Sequence, residues 1–205
     1  MFGIRKQRHE VTSKSKLVGV TGVGHGVGVT HMSLIAASYL SSALAYRVAY
    51  AEVSHKSRVL QYLGDEPIMH GRNVGYRFKG VDYFPAVCEE GISELETKRY
   101  DVVICDLGVI EPNKRMLVKW CDRLIVIGSL QLWRYEEYRE YMRDYYIKGD
   151  TLRAGLFGLY LKDEEKRRFE KEFNVPITGV PYMSDPYRLK KEDITAMQRI
   201  TAGWL

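Results

Sequence analysis

The 205-residue sequence predicts a single α/β domain of three layers, a mostly parallel sheet between two sets of helices. Three observations carry this prediction. Leu17 to Thr21 is a short apolar run with the length and branching of a buried strand. Gly22, Gly24, Gly26 and Gly28 then recur at every second position, and Met32, Ile35, Ala36, Tyr39, Leu40, Ala43 and Leu44 recur at helical spacing. Strand and helix patterns alternate from there to the end of the chain, as a parallel sheet covered on both faces requires. A hydrophobic fraction of 45% with 28% charged residues suits a globular core at this length.

The remaining elements follow in order. Residues 1–15 form a basic, Ser/Thr-containing leader expected to be flexible, and the domain proper spans 16–205. Arg47 to Val53 reads as the second strand. Ser54 to Gly80 is less regular, with Gly71, Asn73, Gly75 and Gly80 suggesting turns around a short hairpin. Val81 to Phe84 reads as a strand and Cys88 to Lys98 as a helix. Tyr100 to Gly108 is a buried strand with Asp106 near its carboxyl end, and Pro112 opens a helix to Trp120. Arg123 to Gly128, Leu156 to Leu161 and Pro176 to Val180 read as strands. Leu132 to Ile147, Asp163 to Phe173 and Pro186 to Ala202 read as helices.

Strand, glycine loop and helix together are the layout of a phosphate-binding loop, in which backbone N–H groups converge on an anion at a helix N-terminus. A working loop ends in Gly-Lys-Ser/Thr, the lysine meeting the terminal phosphates and the hydroxyl a magnesium ion. Here the ending is Gly28-Val29-Thr30, so the hydroxyl is present and the lysine is not. A charge about 4 Å from a phosphate is worth roughly 4 kcal/mol at an effective dielectric near 20, before desolvation. Loss of the lysine therefore predicts weakened nucleotide binding.

Composition narrows the function classes. A net charge of +5 is too mild to demand nucleic acid. Cys88, Cys105 and Cys121 lack metal-ligand spacing and suggest reduced thiols. No run reaches transmembrane length and the N-terminus has no signal-peptide core, so a cytoplasmic protein is expected, at the membrane only through partners.

Five segments in order resemble the MinD/ParA family of deviant P-loop ATPases. They are the loop GVGHGVGVTH, the second strand RVAYAEVS, the Walker B-like strand YDVVICDLG, the strand CDRLIVIGSL and the closing stretch VPITGVPYMSDPYRL. The resemblance implies the P-loop NTPase fold over the chain from Lys16 onward. It places Gly24 where the family's signature lysine stands, Val29 at its phosphate lysine, and Glu52 and Ser54 at its two second-strand acids. Near Leu161, where the family reads adenine with an asparagine, GLYLKD offers only an apolar residue. Thr30 and Asp106 match the magnesium end of the site. The nucleotide-binding positions so implied are Gly24, Gly26, Gly28, Val29, Thr30, His31 and Asp106, with Thr30 and Asp106 as the metal ligands of any magnesium nucleotide.

Phosphoryl transfer needs positive charge on the transferred group and an oriented water. With Val29 and Ser54 in place, no appreciable ATPase activity is expected, no cofactor is required, and ATP or ADP with magnesium binds weakly if at all. The same residues also admit a plainly structural reading, a tight turn made by the glycines and a cap made by Asp106.

Elsewhere, His25 and His31 bracket the loop. Six aromatics fall within Trp133 to Tyr146, of which Trp133, Tyr135, Tyr138, Tyr141 and Tyr145 mark a candidate partner surface or core stripe. Ile194, Met197, Ile200 and Trp204 carry the periodicity of a last helix that packs on the core rather than on lipid. The expected function is that of a catalytically impaired MinD/ParA-like scaffold or localisation protein, and family habit suggests the TadZ/CpaE-type pilus-assembly group. Its implied partners are proteins, such as a membrane-associated secretion or pilus ATPase complex. The alternatives are a nucleotide-gated ATPase switch using Arg58, Arg72 or Lys114 as its phosphate-binding cation, and a partition-type DNA-binding protein. Strong nucleic-acid binding is not expected, and homodimerisation stays open.

Overall fold

A computed structural model describes residues 14–53, 57, 67–97, 99–111, 115–149, 154–202 and 204. The strands are β1 (Lys16–Gly22), β2 (Val48–Glu52), β3 (Pro67–His70), β4 (Asn73–Phe78), β5 (Val81–Phe84), β6 (Val102–Val109), β7 (Arg123–Ser129), β8 (Ala154–Leu159) and β9 (Thr178–Val180). The helices are α1 (Val29–Ser42), α2 (Glu89–Leu95), α3 (Arg115–Trp120), α4 (Tyr135–Tyr141), α5 (Asp163–Phe173) and α6 (Lys191–Ile200). The strands form one nine-stranded sheet in the order β3-β4-β5-β2-β6-β1-β7-β8-β9. From β5 to β9 every neighbouring pair is parallel, while β3, β4 and β5 pair antiparallel among themselves.

β1 lies between β6 and β7, and alternation distributes its side chains to two cores. Val18 and Val20 join Val102, Ile104, Ile125 and Ile127 beneath α1 and α6. Leu17 joins Val103, Cys105 and Val126 on the opposite face, under α2 to α5. A strand buried on both faces must be apolar throughout, which is why β1 and β6 read as continuous apolar runs. The chain leaves β1 toward β2 on one side and reaches β7 on the other. The loop after β1 therefore sits at the point where ligands bind in such sheets.

In the described part of the irregular stretch before Val81, Pro67–His70 and Asn73–Phe78 form the antiparallel β3–β4 hairpin. β4 turns into β5 through Lys79 and Gly80, both at positive φ (46° and 81°), the geometry of a two-residue hairpin. Several boundaries differ from expectation. α6 begins at Lys191 rather than Pro186, because Asp193 accepts the Lys190 N–H at 2.8 Å and caps the helix there. The expected Leu132 to Ile147 helix starts at Tyr135 and ends in a π-helical turn, Met142 to Tyr146. At the end of the expected leader, Ser15 is buried, its hydroxyl within reach of the carbonyls of Thr97 (2.5 Å) and Tyr100 (2.9 Å), and Lys14 pairs with Glu96 at 2.8 Å. Residues 1–13, Ser54, Arg58 and 112–114 lie outside the described residues, so the rest of the leader and the proposed roles of Ser54, Arg58 and Lys114 do too. Trp204, Met197 and Ile200 are core residues, as expected for a last helix that packs inward. No helix among the described residues is long and apolar enough to cross a membrane.

Candidate phosphate-binding site

The glycine loop is held from both neighbouring strands. Val23 donates its N–H to the Ile127 carbonyl at 2.9 Å, Ile110 donates to the Gly22 carbonyl at 2.9 Å, and the Thr21 hydroxyl donates to the Gly108 carbonyl at 2.9 Å. Gly26 (φ 72°) and Gly28 (φ 81°) are left-handed, a conformation that costs other residues roughly 1–2 kcal/mol. Gly28 is the N-cap of α1 and offers no side chain; the first turn carries no acid either. The N–H groups of Val29, Thr30 and His31 have no partner within the helix, and the helix dipole adds to their positive character. Backbone alone thus makes an anion cradle.

A cavity of about 910 Å³ opens in front of it. Its described walls carry four carboxylates, Glu52, Glu89, Asp106 and Glu111, with His25, His31 and Thr30, and no lysine or arginine among the described lining residues. The carboxylates near the sheet are tied down. Asp106 is 3% exposed and accepts the Tyr50 hydroxyl on Oδ2 and the Gly108 N–H on Oδ1, each at 3.0 Å. Glu52 is 2% exposed and accepts the Ser57 hydroxyl at 2.7 Å. Burial pushes the Tyr50 phenol well above its usual value, and the charges of Asp106 and Glu52 push it the same way. Tyr50 therefore stays protonated and donates to Asp106.

The positions singled out from sequence meet different fates. Gly24, Gly26, Gly28, Val29, Thr30, His31 and Asp106 all line the one cavity. Val29, at the phosphate-lysine position, is 8% exposed and belongs to the core; a Cβ on Gly22 would lie 2.9 Å from its Cγ2. It fills the underside of the loop with methyl groups. His31 donates from Nε2 to the Met183 carbonyl at 2.6 Å, which ties α1 to the segment after β9. Leu161, near where the resemblance places an adenine-reading asparagine, packs over Gly158 and Gly179. Arg72, one of the candidate substitute cations, is paired with Glu94 at 2.6 Å.

The tyrosine stripe divides. Tyr138 and Tyr141 are 0% and 2% exposed, so for those two the core alternative of the two readings applies. Tyr138 packs against Gly128, where any Cβ would collide with its ring; its hydroxyl is 3.0 and 2.9 Å from the Val126 and Phe157 carbonyls and accepts the Phe157 N–H at 3.1 Å. Tyr145 stacks on Tyr141, and Tyr135 donates to Glu172 at 2.7 Å under the Arg168 guanidinium. Trp133 remains 78% exposed, beside the equally exposed Leu132.

Two residues escaped the sequence reading. Arg134 donates from Nη2 to the His25 carbonyl at 2.7 Å and pairs with Glu137, whose carboxylate fills the space a side chain on Gly24 would need. Only their i, i+3 spacing was visible beforehand, and that spacing is common on helix surfaces.

Comparison with solved structures now decides the fold. A ParA family ATPase from Chlorobium tepidum superposes with a TM-score of 0.62 at 14% identity, over 92% of this chain and 94% of that one. The fold is that of the MinD/ParA P-loop ATPases. MinD of Aquifex aeolicus, in a MinC:MinD cell division complex, matches at 0.65 with 13% identity over 92% and 96% of the two chains. McdA of Cyanothece, a variant solved in complex with ATP, matches at 0.68 with 10% identity over 93% and 96%. No protein-family model matches the sequence, and no curated protein does.

Proposed function

We propose that this protein is a catalytically impaired MinD/ParA-like scaffold or localisation factor that acts in the cytoplasm through protein partners. The observation that carries the reading is the core-directed Val29 at the head of α1, at the edge of a cavity whose described walls hold four carboxylates and no lysine or arginine. Phosphoryl transfer is driven mainly by positive charge on the transferred group, and such walls oppose it. The left-handed glycines, the open first turn of α1 and Thr30 support binding of a phosphate without hydrolysis, with Asp106 at the magnesium end. A magnesium nucleotide would bring its own cation to that end of the site and offset part of the acidic character.

MinD of Aquifex aeolicus is seen with a protein partner, MinC, which supports assigning a partner-binding role here. Leu132 and Trp133 are the residues we assign to that contact, because the rest of the aromatic stripe is packed inward. The proposed setting is a bacterial pilus or secretion assembly, on the motif resemblance to the TadZ/CpaE group; co-elution with a purified assembly ATPase, lost in Trp133→Ala, checks it.

The deciding experiment is calorimetric titration with ATP and ADP, with and without magnesium, alongside a phosphate-release assay. The expected result is weak, magnesium-dependent binding with no release above background. Steady release abolished by Asp106→Asn would overturn the proposal and favour a working ATPase switch.

A further inference from the structure

The glycine loop is gripped from the side by the start of α4. Arg134, the N-cap residue of that helix, reaches the His25 carbonyl with Nη2 at 2.7 Å. The same guanidinium forks onto Glu137, with Nε 3.1 Å and Nη2 2.9 Å from Oε2. Glu137 in turn lies so close to the Gly24 Cα that no side chain fits between them. The pair is only partly exposed, 23% for Arg134 and 35% for Glu137. A guanidinium and a carboxylate are therefore held against Gly24 and His25, which line a cavity whose own described lining contains neither lysine nor arginine.

We propose that Arg134 and Glu137 form an anion-gated latch. The latch pins the glycine loop to α4, and a terminal phosphate in the loop draws Arg134 away from Glu137. The chemistry is an exchange of like partners: phosphate and carboxylate both accept the two parallel N–H bonds of a guanidinium fork. Glu137 holds Arg134 and also sets a negative charge beside the loop, so it opposes phosphate twice. Arg134 is then a positioning residue for the loop and the cation that stands in for the missing lysine at position 29. Leu132 and Trp133 immediately precede Arg134, so a change in the latch reaches the exposed pair assigned to partner contact. The gate rests on the reading that the loop takes a phosphate; the pin does not.

The test is amide hydrogen exchange across residues 22–29, combined with titration by MgADP, MgATP and inorganic pyrophosphate. It uses the full chain, Arg134→Ala, Arg134→Lys and Glu137→Gln, with circular dichroism to verify folding. Without nucleotide, Arg134→Ala is expected to speed loop exchange about tenfold, and Arg134→Lys less, because an ammonium lacks the fork. Glu137→Gln is expected to tighten MgADP about fivefold and Arg134→Ala to weaken it by a similar factor. Unchanged loop exchange in Arg134→Ala overturns the latch whatever nucleotide does. Equal nucleotide affinity in all four proteins overturns the gate while leaving the loop's phosphate reading intact. Accelerated exchange with no binding to any of them at millimolar concentration supports the pin and overturns the phosphate reading.

Discussion

At the residue scale, Val29 and Tyr138 decide what the glycine loop and the aromatic stripe can do. Val29 occupies the head of α1 with its side chain turned into the core, where a lysine would have to bend out over the loop. Val29→Lys is expected to tighten MgADP by at least about tenfold, since a phosphate-directed charge is worth several kcal/mol even when screened. It is also expected to lower the melting temperature, because the new ammonium stem disrupts packing at a site 8% exposed. Parallel calorimetry and thermal melts read both effects. Tyr138→Phe leaves the Phe157 N–H and two carbonyls without the buried hydroxyl, and is expected to cost about 1–3 kcal/mol in urea denaturation. A surface tyrosine would show a change within about 0.5 kcal/mol, so the measurement separates core from partner surface.

At the element scale, tight joins between strands and helices depend on missing side chains. Gly128 on β7 admits the Tyr138 ring of α4, and Gly128→Ala is expected to destabilise by about 1–3 kcal/mol through overpacking. Gly28→Ala meets only Leu159 Cδ1 at 4.0 Å, an ordinary contact, but the wrong backbone region, and is expected to cost roughly 1–2 kcal/mol while distorting the cradle for phosphate. Comparing the two in denaturation and in nucleotide titration distinguishes a packing glycine from a conformational one. Only Gly28→Ala should alter both. The order of elements was readable beforehand because parallel strands such as β1 and β6 are apolar throughout and the helices between them keep a 3.6-residue period. The β3–β4 hairpin showed only as punctuation by Gly71, Asn73 and Gly80. Burial alternates along both strands, but Asn73 and Gly75 take buried positions while Met69 and Val74 are exposed, so hydropathy does not report it.

At the scale of the whole molecule, burial controls which groups titrate and react. The Tyr138 and Tyr50 phenols are held well above their usual value near 10, in both cases chiefly by burial. A raised folded value means the folded protein keeps its proton where the unfolded chain releases it. Their contribution is therefore fully present below pH 10 and is lost as pH rises through the folded values. The expected outcome is alkaline unfolding above about pH 10, with phenolate absorbance near 295 nm rising together with loss of ellipticity. The cysteines offer an independent check. Burial pushes Cys121 up to about 12 and Cys105 well above its ordinary value, whereas Cys88 is exposed at the cavity rim. Iodoacetamide at pH 8 should label Cys88 alone in the native protein, and all three thiols after denaturation, as counted by intact mass.

The sequence by itself determined the layered α/β architecture, the position of the glycine loop and the absence of a lysine at its end. These are local facts, carried by periodicity, by glycine and by the identity of one residue. Tertiary structure decided the rest, because it depends on which distant segments meet. Packing turned Tyr138 and Tyr141 inward and left Trp133 in solvent. The fold brought four carboxylates from separate segments around one cavity and tied Asp106 to Tyr50. It also set Arg134 and Glu137, more than a hundred residues along the chain, against Gly24 and His25. No spacing rule in a linear chain encodes such contacts; they arise only when β7 is laid beside β1 and its following helix is swung over the loop.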